Sequence, residues 1–170
     1  MGTEIQIESS RFGTLLVDEG RVITFPNGLL GFPDHRRFAL IQTGEENYFF
    51  WLQSVDEPSL AFVVTDPAIF FKGYEVPLRD ETRQDLRLDG PDAAESAGPR
   101  ATDGHDPEAF LQVFVICNKV GEWLTGNLLG PLVVNAQNRL AQQVVLTEKK
   151  WTTRQPLMRL EADVPLAKSA

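Results

Sequence analysis

Hydrophobic and polar residues alternate at the start of the chain. Ile5 and Ile7 lie on one side of an extended backbone, while residues 4, 6 and 8 are polar. A period of two is typical of a half-buried β-strand. Short apolar runs between turn-forming residues continue this pattern, and they predict further strands. These lie at residues 15–17, 22–25, 38–41, 48–54, 60–65, 110–117, 131–135 and 143–146, and the apolar pattern also continues over residues 69–76.

Glycine-containing turns set the predicted connections. Residues 15–17 and 22–25 flank an Asp-Glu-Gly-Arg segment, which predicts a β-hairpin. Residues 121–126 are predicted to form a turn that carries Trp123. The charged segment 78–88 has spaced leucines and predicts a short amphipathic helix. The whole pattern predicts an all-β, mostly antiparallel, barrel-like or sandwich domain of about nine or ten strands, with at most one or two short helices.

One domain is expected over residues 1–160, with a single interruption. Residues 89–107 contain three glycines, three prolines, five acids and one arginine, but no aromatic or branched aliphatic side chain. Such a segment cannot bury enough apolar surface to offset the entropy of ordering it, which predicts a disordered acidic insertion. Residues 161–170 lose the pattern and are predicted to be a frayed tail.

Residues 25–34 stand out among the predicted loops. They combine two prolines and two glycines with four large apolar residues, Phe25, Leu29, Leu30 and Phe32. Proline fixes φ and glycine permits angles closed to other residues, so the segment is predicted to be a shaped connector. Its apolar content predicts that it is buried or covered by a partner, and its flanking strands predict that it sets how two parts of a sheet meet.

Charge limits the classes of partner. The 170-residue chain has a net charge of −8 and a pI near 4.8, which disfavours binding to nucleic acid and anionic membranes and favours binding to a basic protein.

The start of the chain is polar and acidic, unlike a signal peptide, and no apolar run approaches the roughly 20 residues that cross a bilayer. A cytoplasmic protein is expected.

Motifs for catalysis are scarce. The chain has no Gly-x-Ser-x-Gly, no phosphate-binding glycine loop and no Cys-x-x-Cys. Its two histidines are His35, beside the proline-containing loop, and His105, inside the predicted insertion. Cys117 lies in an apolar run that offers no base, so a structural role is expected. No catalytic motif is therefore recognised in the chain, and neither a cofactor nor a metal is expected.

Several polar and aromatic residues allow two interpretations. Asp34 and Asp66 are placed to accept backbone hydrogen bonds in turns. Three asparagines could bond across turns or form a polar rim around a peptide groove, namely Asn127, Asn135 and Asn138. The aromatic run at residues 48–51 must point to both faces of its strand, so it is either covered on both sides or partly open to a partner.

Residue chemistry alone therefore indicates a binding protein and leaves its ligand open. One alternative is a small-molecule- or flavin-binding β-barrel, which would need a pocket with convergent polar groups. Another is an oligonucleotide-binding barrel, which would need a basic groove that the sequence does not show.

A series of motifs in order carries a resemblance to a known family. They are Phe25-Pro26-x-Gly28-Leu29-x-Gly31-Phe32, Phe50-Trp51-Leu52-Gln53-Ser54, Leu60-Ala61-Phe62-x-Val64-x-Asp66-Pro67, Thr125-x-Asn127-Leu128-x-x-Pro131-Leu132-Val133-Val134-Asn135, Arg139, Gln143-Val144-Val145-Leu146 and Arg154-x-Pro156-Leu157. Together they resemble the flagellar assembly factor family FliW over roughly residues 5 to 157. Gly130 stands where the family usually has alanine, and the family tends to be shorter around residues 89–107.

The resemblance implies a small, barrel-like protein that is not an enzyme. It implies two partners, flagellin and the basic RNA-binding translational repressor CsrA, with flagellin export freeing the factor to relieve repression. For flagellin, whose terminal segments are amphipathic, we expect an apolar groove near Leu29, Phe32, Phe50 and Trp51. For CsrA we expect contacts from Glu45, Glu46, Asp66 and Asn127.

Overall fold

The computed structural model describes residues 3–42, 48–88 and 111–160. Within these ranges the chain forms eleven β-strands and one α-helix. The strands are β1 (Glu4–Ser9), β2 (Gly13–Asp18), β3 (Ile23–Thr24), β4 (Arg37–Ile41), β5 (Phe49–Ser54), β6 (Ala61–Thr65), β7 (Leu111–Val120), β8 (Trp123–Gly126), β9 (Leu132–Asn135), β10 (Ala141–Gln143) and β11 (Gln155–Arg159). The helix α1 is Asp80–Asp85, and short 3-10 turns cover Glu19–Arg21 and Pro67–Ile69. The predicted insertion and tail, residues 89–107 and 161–170, lie outside the described residues.

Nine of these strands form one sheet that curls toward closure. Its main path runs β10-β9-β7-β6-β5-β4-β3, with β8 paired to β7 and β11 paired to β8. Every pair of named strands is antiparallel. Thr24, at the end of the path, forms a parallel bridge with Leu140, just before β10 at the other end. The two ends of the sheet therefore meet, and the predicted all-β, mostly antiparallel, barrel-like fold is confirmed.

The main core lies inside this curled sheet. Alternation along β5 shows the two sides, because Phe50 and Leu52 join the interior cluster while Phe49 and Trp51 point outward. The buried members of the interior cluster are Ile23, Phe25, Leu29, Phe38, Leu52, Val64, Phe114, Leu132, Val134 and Ala141. Burial of such side chains from both ends of the path is what holds the sheet in its curled form.

Smaller clusters cover the outside of the sheet. The segment at the end of α1 buries Leu86 and Leu88 against Val133 of β9. Val115 of β7 packs with Trp151 in a second cluster. A third cluster contains Cys117, Leu124 and Leu160, with Phe49 against it. The aromatic run therefore packs on both faces of its strand, Phe50 inside and Phe49 and Trp51 outside, while Tyr48 is 50% exposed.

The prediction of a hairpin between residues 15–17 and 22–25 is wrong. β2 pairs with β1 over the whole of both strands, and β3 pairs with β4. Asp18 explains the difference, because its side chain accepts a hydrogen bond from the backbone N–H of Gly20 at 2.9 Å. This bond starts the 3-10 turn Glu19–Arg21, which carries the chain away from β2.

The prediction of a turn over residues 121–126 is also wrong. Val120 pairs directly with Trp123, so only Gly121 and Glu122 form the turn, and β8 begins at once. Gly121 has φ +61°, the left-handed conformation that two-residue hairpin turns require. The strand predicted at residues 143–146 begins two residues earlier, as β10. The N–H groups of Val144 and Leu146 still donate hydrogen bonds, to the carbonyl oxygens of Pro131 and Leu129.

The loop of residues 25–34 connects the neighbouring strands β3 and β4. Phe25 and Leu29 are buried, as expected for a covered loop, but Leu30 is 61% exposed and Phe32 36% exposed. Gly28 lets the loop turn back on itself, with φ +68°. A Cβ at this position would lie 2.6 Å from the backbone oxygens of Phe32 and Pro33.

We expect Gly28→Ala to lower the free energy of unfolding by about 3 kcal/mol, from left-handed backbone strain and the backbone clash together. Gly31 has φ +86° but open space around the added atom, so Gly31→Ala should cost only about 1 kcal/mol. Urea unfolding of both variants measures the difference. Equal losses would show that the close approach at Gly28 contributes nothing.

Candidate protein-binding surfaces

The four apolar residues predicted to form one groove lie in different places. Leu29 and Phe50 belong to the interior cluster, and Leu29 is only 3% exposed. Trp51 lies on the outer face of β5, where Phe12 packs edge-on against its ring. Phe32 stands at the surface and packs edge-on against Phe62. The structure therefore does not bring the four side chains into a single groove.

Phe50 does line a cleft of its own. The β5–β7 cleft, as we name it, has a volume of about 430 Å³. Its lining residues are Phe50, Asp66, Pro67, Ala68, Ile69, Tyr74, Val76, Leu111, Gln112, Val113 and Phe114. Phe50 and Phe114 pack edge-on in its wall, and Ile69 is 45% exposed at its rim. The cleft is mainly apolar and has room for a few side chains of a partner.

Of the two predicted CsrA residues that the structure describes, Asp66 reaches this cleft and Asn127 does not. The Oδ1 of Asp66 accepts a hydrogen bond from the backbone N–H of Ala68 at 2.9 Å, as expected for a turn acid. Asn127 lies beyond β8 and its Oδ1 accepts from the N–H of Leu129 at 3.2 Å. Glu45 and Glu46 lie outside the described residues.

Asn135 and Asn138 serve the fold. Each side-chain amide donates to the carbonyl oxygen of Leu86, at 2.9 Å and 3.0 Å. Each Oδ1 accepts a backbone N–H two residues later in the chain. The two asparagines thereby tie the end of α1 to the turn before β10, so they do not form the rim of a peptide groove.

A second concave surface lies between α1 and the edge of the sheet. This α1 groove has a volume of about 520 Å³. Its lining residues are Pro77, Leu78, Arg79, Glu81, Thr82, Asp85, Gln142, Gln143, Val144, Val145, Leu146, Thr147 and Glu148. Three of them are acids and one is a base, so the groove is negatively charged. Glu81 and Asp85 are four residues apart and share one face of the helix.

Sequence reasoning missed the α1 groove. The charged helix and the strand at residues 143–146 were both predicted, but nothing in either pattern indicates that they face each other. The sequence signal was the i, i+4 spacing of Glu81 and Asp85, and it identifies a helix face without identifying what lies opposite.

Cys117 is held in a setting that suppresses its chemistry. The thiol is buried, and burial raises its pKa to about 12. Its Sγ lies 3.7 Å from the carbonyl oxygen of Val115.

In the part of the chain that the structure describes, no three His, Cys, Asp or Glu side chains are grouped as a metal site. No helix in the same ranges is long and apolar enough to span a membrane.

The fold and surfaces together define a class of protein. It is a small antiparallel β-barrel-like domain with an apolar cleft and an acidic groove, both open to solvent. An open apolar cleft suits an amphipathic segment of another protein, and an acidic groove suits a basic one.

Known proteins identify the family. Residues 6–157 match the model of the FliW protein family. The flagellar assembly factor FliW of Magnetococcus marinus is 40% identical over 154 residues, which is 91% of this chain and 85% of the relative. FliW of Bacillus subtilis is 32% identical over 151 residues, which is 89% of this chain and 95% of the relative. A crystal structure of the flagellar assembly factor FliW aligns with a TM-score of 0.73 at 29% identity, covering 94% of this chain and all of that one.

The chain belongs to the FliW family of flagellar assembly factors. The matched range includes every motif that carried the resemblance, so the family inferred from those motifs is confirmed. The relatives are named as assembly factors and not as enzymes.

We expect the thiol of Cys117 to resist alkylation in the folded protein. Because its pKa is raised from 9 to about 12, almost no thiolate exists in the folded state at pH 8. Iodoacetamide should therefore modify the folded chain at least about tenfold more slowly than the urea-unfolded chain. The free energy of unfolding should not depend on the Cys117 thiol below pH 9. It should fall between pH 9 and 12, because in that range the thiol ionises in the unfolded chain and not in the folded one. Equal alkylation rates would contradict the buried environment.

Proposed function

We propose that this chain binds flagellin and antagonises the translational repressor CsrA, coupling the level of flagellin to its translation in the cytoplasm. Membership of the FliW family supports a role in flagellar assembly. The observation that supports flagellin and CsrA as the two partners is that an apolar cleft and an acidic groove lie on adjacent surfaces. An amphipathic segment suits the first, and a basic protein suits the second.

The β5–β7 cleft is the better candidate for flagellin. Its apolar walls match the apolar face of an amphipathic segment, the mode in which helices bind grooves. The exposed pair Leu30 and Phe32 is the alternative apolar surface, but it lies on a loop and lines neither the β5–β7 cleft nor the α1 groove. Such a pair can contact a partner without enclosing it, whereas a cleft removes more of the partner from water.

Segment 74–79 joins the two surfaces. Tyr74 and Val76 line the β5–β7 cleft, and Pro77, Leu78 and Arg79 line the α1 groove. The hydroxyl of Tyr74 donates to the carbonyl oxygen of Leu128 at 2.7 Å, which fixes this segment to the sheet. Two proteins bound on either side of so short a segment would collide. This supports mutual exclusion of flagellin and CsrA, which the regulatory proposal requires.

We expect Ile69→Ala to weaken flagellin binding roughly tenfold, because it removes an exposed apolar side chain from the rim of the cleft. Ile69 is a better probe than Phe50, whose truncation would also open a cavity in the core. The matched control is Leu16→Ala, which shortens a 66% exposed side chain on the separate β1–β2 hairpin. Calorimetry with purified flagellin measures both. Equal affinities for Ile69→Ala and wild type would place flagellin elsewhere.

We expect the double variant Glu81→Gln, Asp85→Asn to bind CsrA more slowly and with less dependence on salt. The two carboxylates contribute to the field that attracts a basic partner, and salt screens that field. The control Glu4→Gln, Glu19→Gln removes the same charge from exposed positions of the β1–β2 hairpin region.

Association rates at low and high salt distinguish the outcomes. Slowing by both double variants would indicate net charge alone, and slowing by neither would exclude the α1 groove. Failure of the wild-type protein to bind either CsrA or flagellin would overturn the proposed function itself.

A further inference from the structure

A third groove lies on the outer face of the sheet, away from the two surfaces described above. It has a volume of about 180 Å³. Its lining residues are Arg11, Trp51, Ala61, Phe62, Val63, Cys117, Asn118, Lys119, Leu124 and Leu160. It crosses strands β5, β6, β7 and β8 in turn, and we call it the cross-strand groove.

The groove lies where β6 and β7 separate. Their pairing runs from Thr65 to Val63, which lies opposite Cys117, and the ladder has no further pairs in the described chain. β6 nevertheless begins at Ala61, and β7 continues to Val120. The facing edges of the two strands are therefore open at this place, and open edges attract an additional segment of chain.

The charge of the groove is opposite to that of the protein. The chain as a whole carries −8, but the lining contains two cations, Arg11 and Lys119, and no acid. The Arg11 guanidinium lies 4.3 Å from the centre of the Trp51 ring. Neither cation forms an ion pair with another residue that the structure describes. An acidic segment with apolar side chains would complement this lining.

The chain itself supplies such a segment. Leu160 is buried in the wall of the groove, and its N–H donates to the carbonyl oxygen of Glu122 at 2.7 Å. The residues that follow are Glu-Ala-Asp-Val-Pro-Leu, at positions 161–166. Leu160 directly follows β11, and the four strand spacings from β11 to β5 amount to about 19 Å. Six extended residues reach roughly 20 Å, so Leu166 can reach Trp51.

We propose that residues 161–166 dock in the cross-strand groove. Glu161 and Asp163 pair with Lys119 and Arg11, and Val164 and Leu166 pack on Val63 and Trp51. Because the segment is tethered through Leu160, its effective concentration at the groove is of the order of millimolar, so weak contacts are enough to keep it docked. The docked segment covers the open edges of β6 and β7. The proposal is independent of the proposed function.

Paramagnetic labelling of the full chain tests the proposal. A nitroxide on Ala167→Cys should remove most of the intensity of the Trp51 indole NMR signal. Trp151 packs with Phe71 and Tyr74 in a different cluster and should keep its signal, so it serves as the internal reference. The buried native thiol of Cys117 should not take up the label.

A second variant separates docking from mere proximity. Adding Asp163→Asn and Leu166→Ser to the labelled chain should restore the Trp51 signal, and neither change touches the described domain. A Trp51 signal that keeps full intensity, or is reduced equally in both labelled chains, would overturn the proposal. Mixing isotope-labelled wild type with nitroxide-labelled chain should leave Trp51 intact. Loss of its signal in that mixture would mean that a second copy supplies the segment, which also overturns the proposal.

Discussion

The buried side chain of Gln53 is the interaction on which several parts of the structure depend. Its Oε1 accepts a hydrogen bond from the hydroxyl of Ser9 at 2.8 Å. Its Nε2 lies within 3.3 Å of four carbonyl oxygens, those of Ser54, Glu57, Pro58 and Leu60. One amide thus joins the β1–β2 hairpin to β5 and closes the turn between β5 and β6. Because an unpaired amide is costly inside a protein, these elements must form together.

The residues that carry the family resemblance mostly have structural roles of this kind. Gln53 and Ser54 hold the turn after β5, Asp66 holds the turn after β6, and Asn135 ties α1 to the sheet. Gly130 stands where the resemblance implies alanine, and a Cβ there would lie 2.8 Å from Nδ2 of Asn127 and 3.0 Å from Nε2 of Gln143. In a chain with alanine those two flexible amides would have to move. The motifs therefore identify the fold well, and they say less about where partners bind.

This explains how far the sequence predicts the molecule. Period-two patterning identified most strands and the fold class, because each buried face repeats along its own strand. It failed for the partner of β2, since period-two patterning does not show that the chain leaves β2 in a 3-10 turn capped by Asp18. It also did not separate Phe50 from Trp51, whose side chains lie on opposite faces of β5 because neighbouring residues of a strand alternate. The clefts themselves depend on how α1 and segment 74–79 lie over the sheet, which is long-range packing that no local pattern encodes.

Under the proposed function, the placement of segment 74–79 would let the two surfaces act as one switch without a large conformational change. Val76 and Leu78 pack against the same cluster beneath α1, although one lines the cleft and the other lines the groove. A partner on either side uses the same short backbone as its wall. Exclusion then needs only overlap of the two bound proteins, so a rigid barrel is sufficient. Differential affinity for two conformations, which long-range coupling requires, is not needed here.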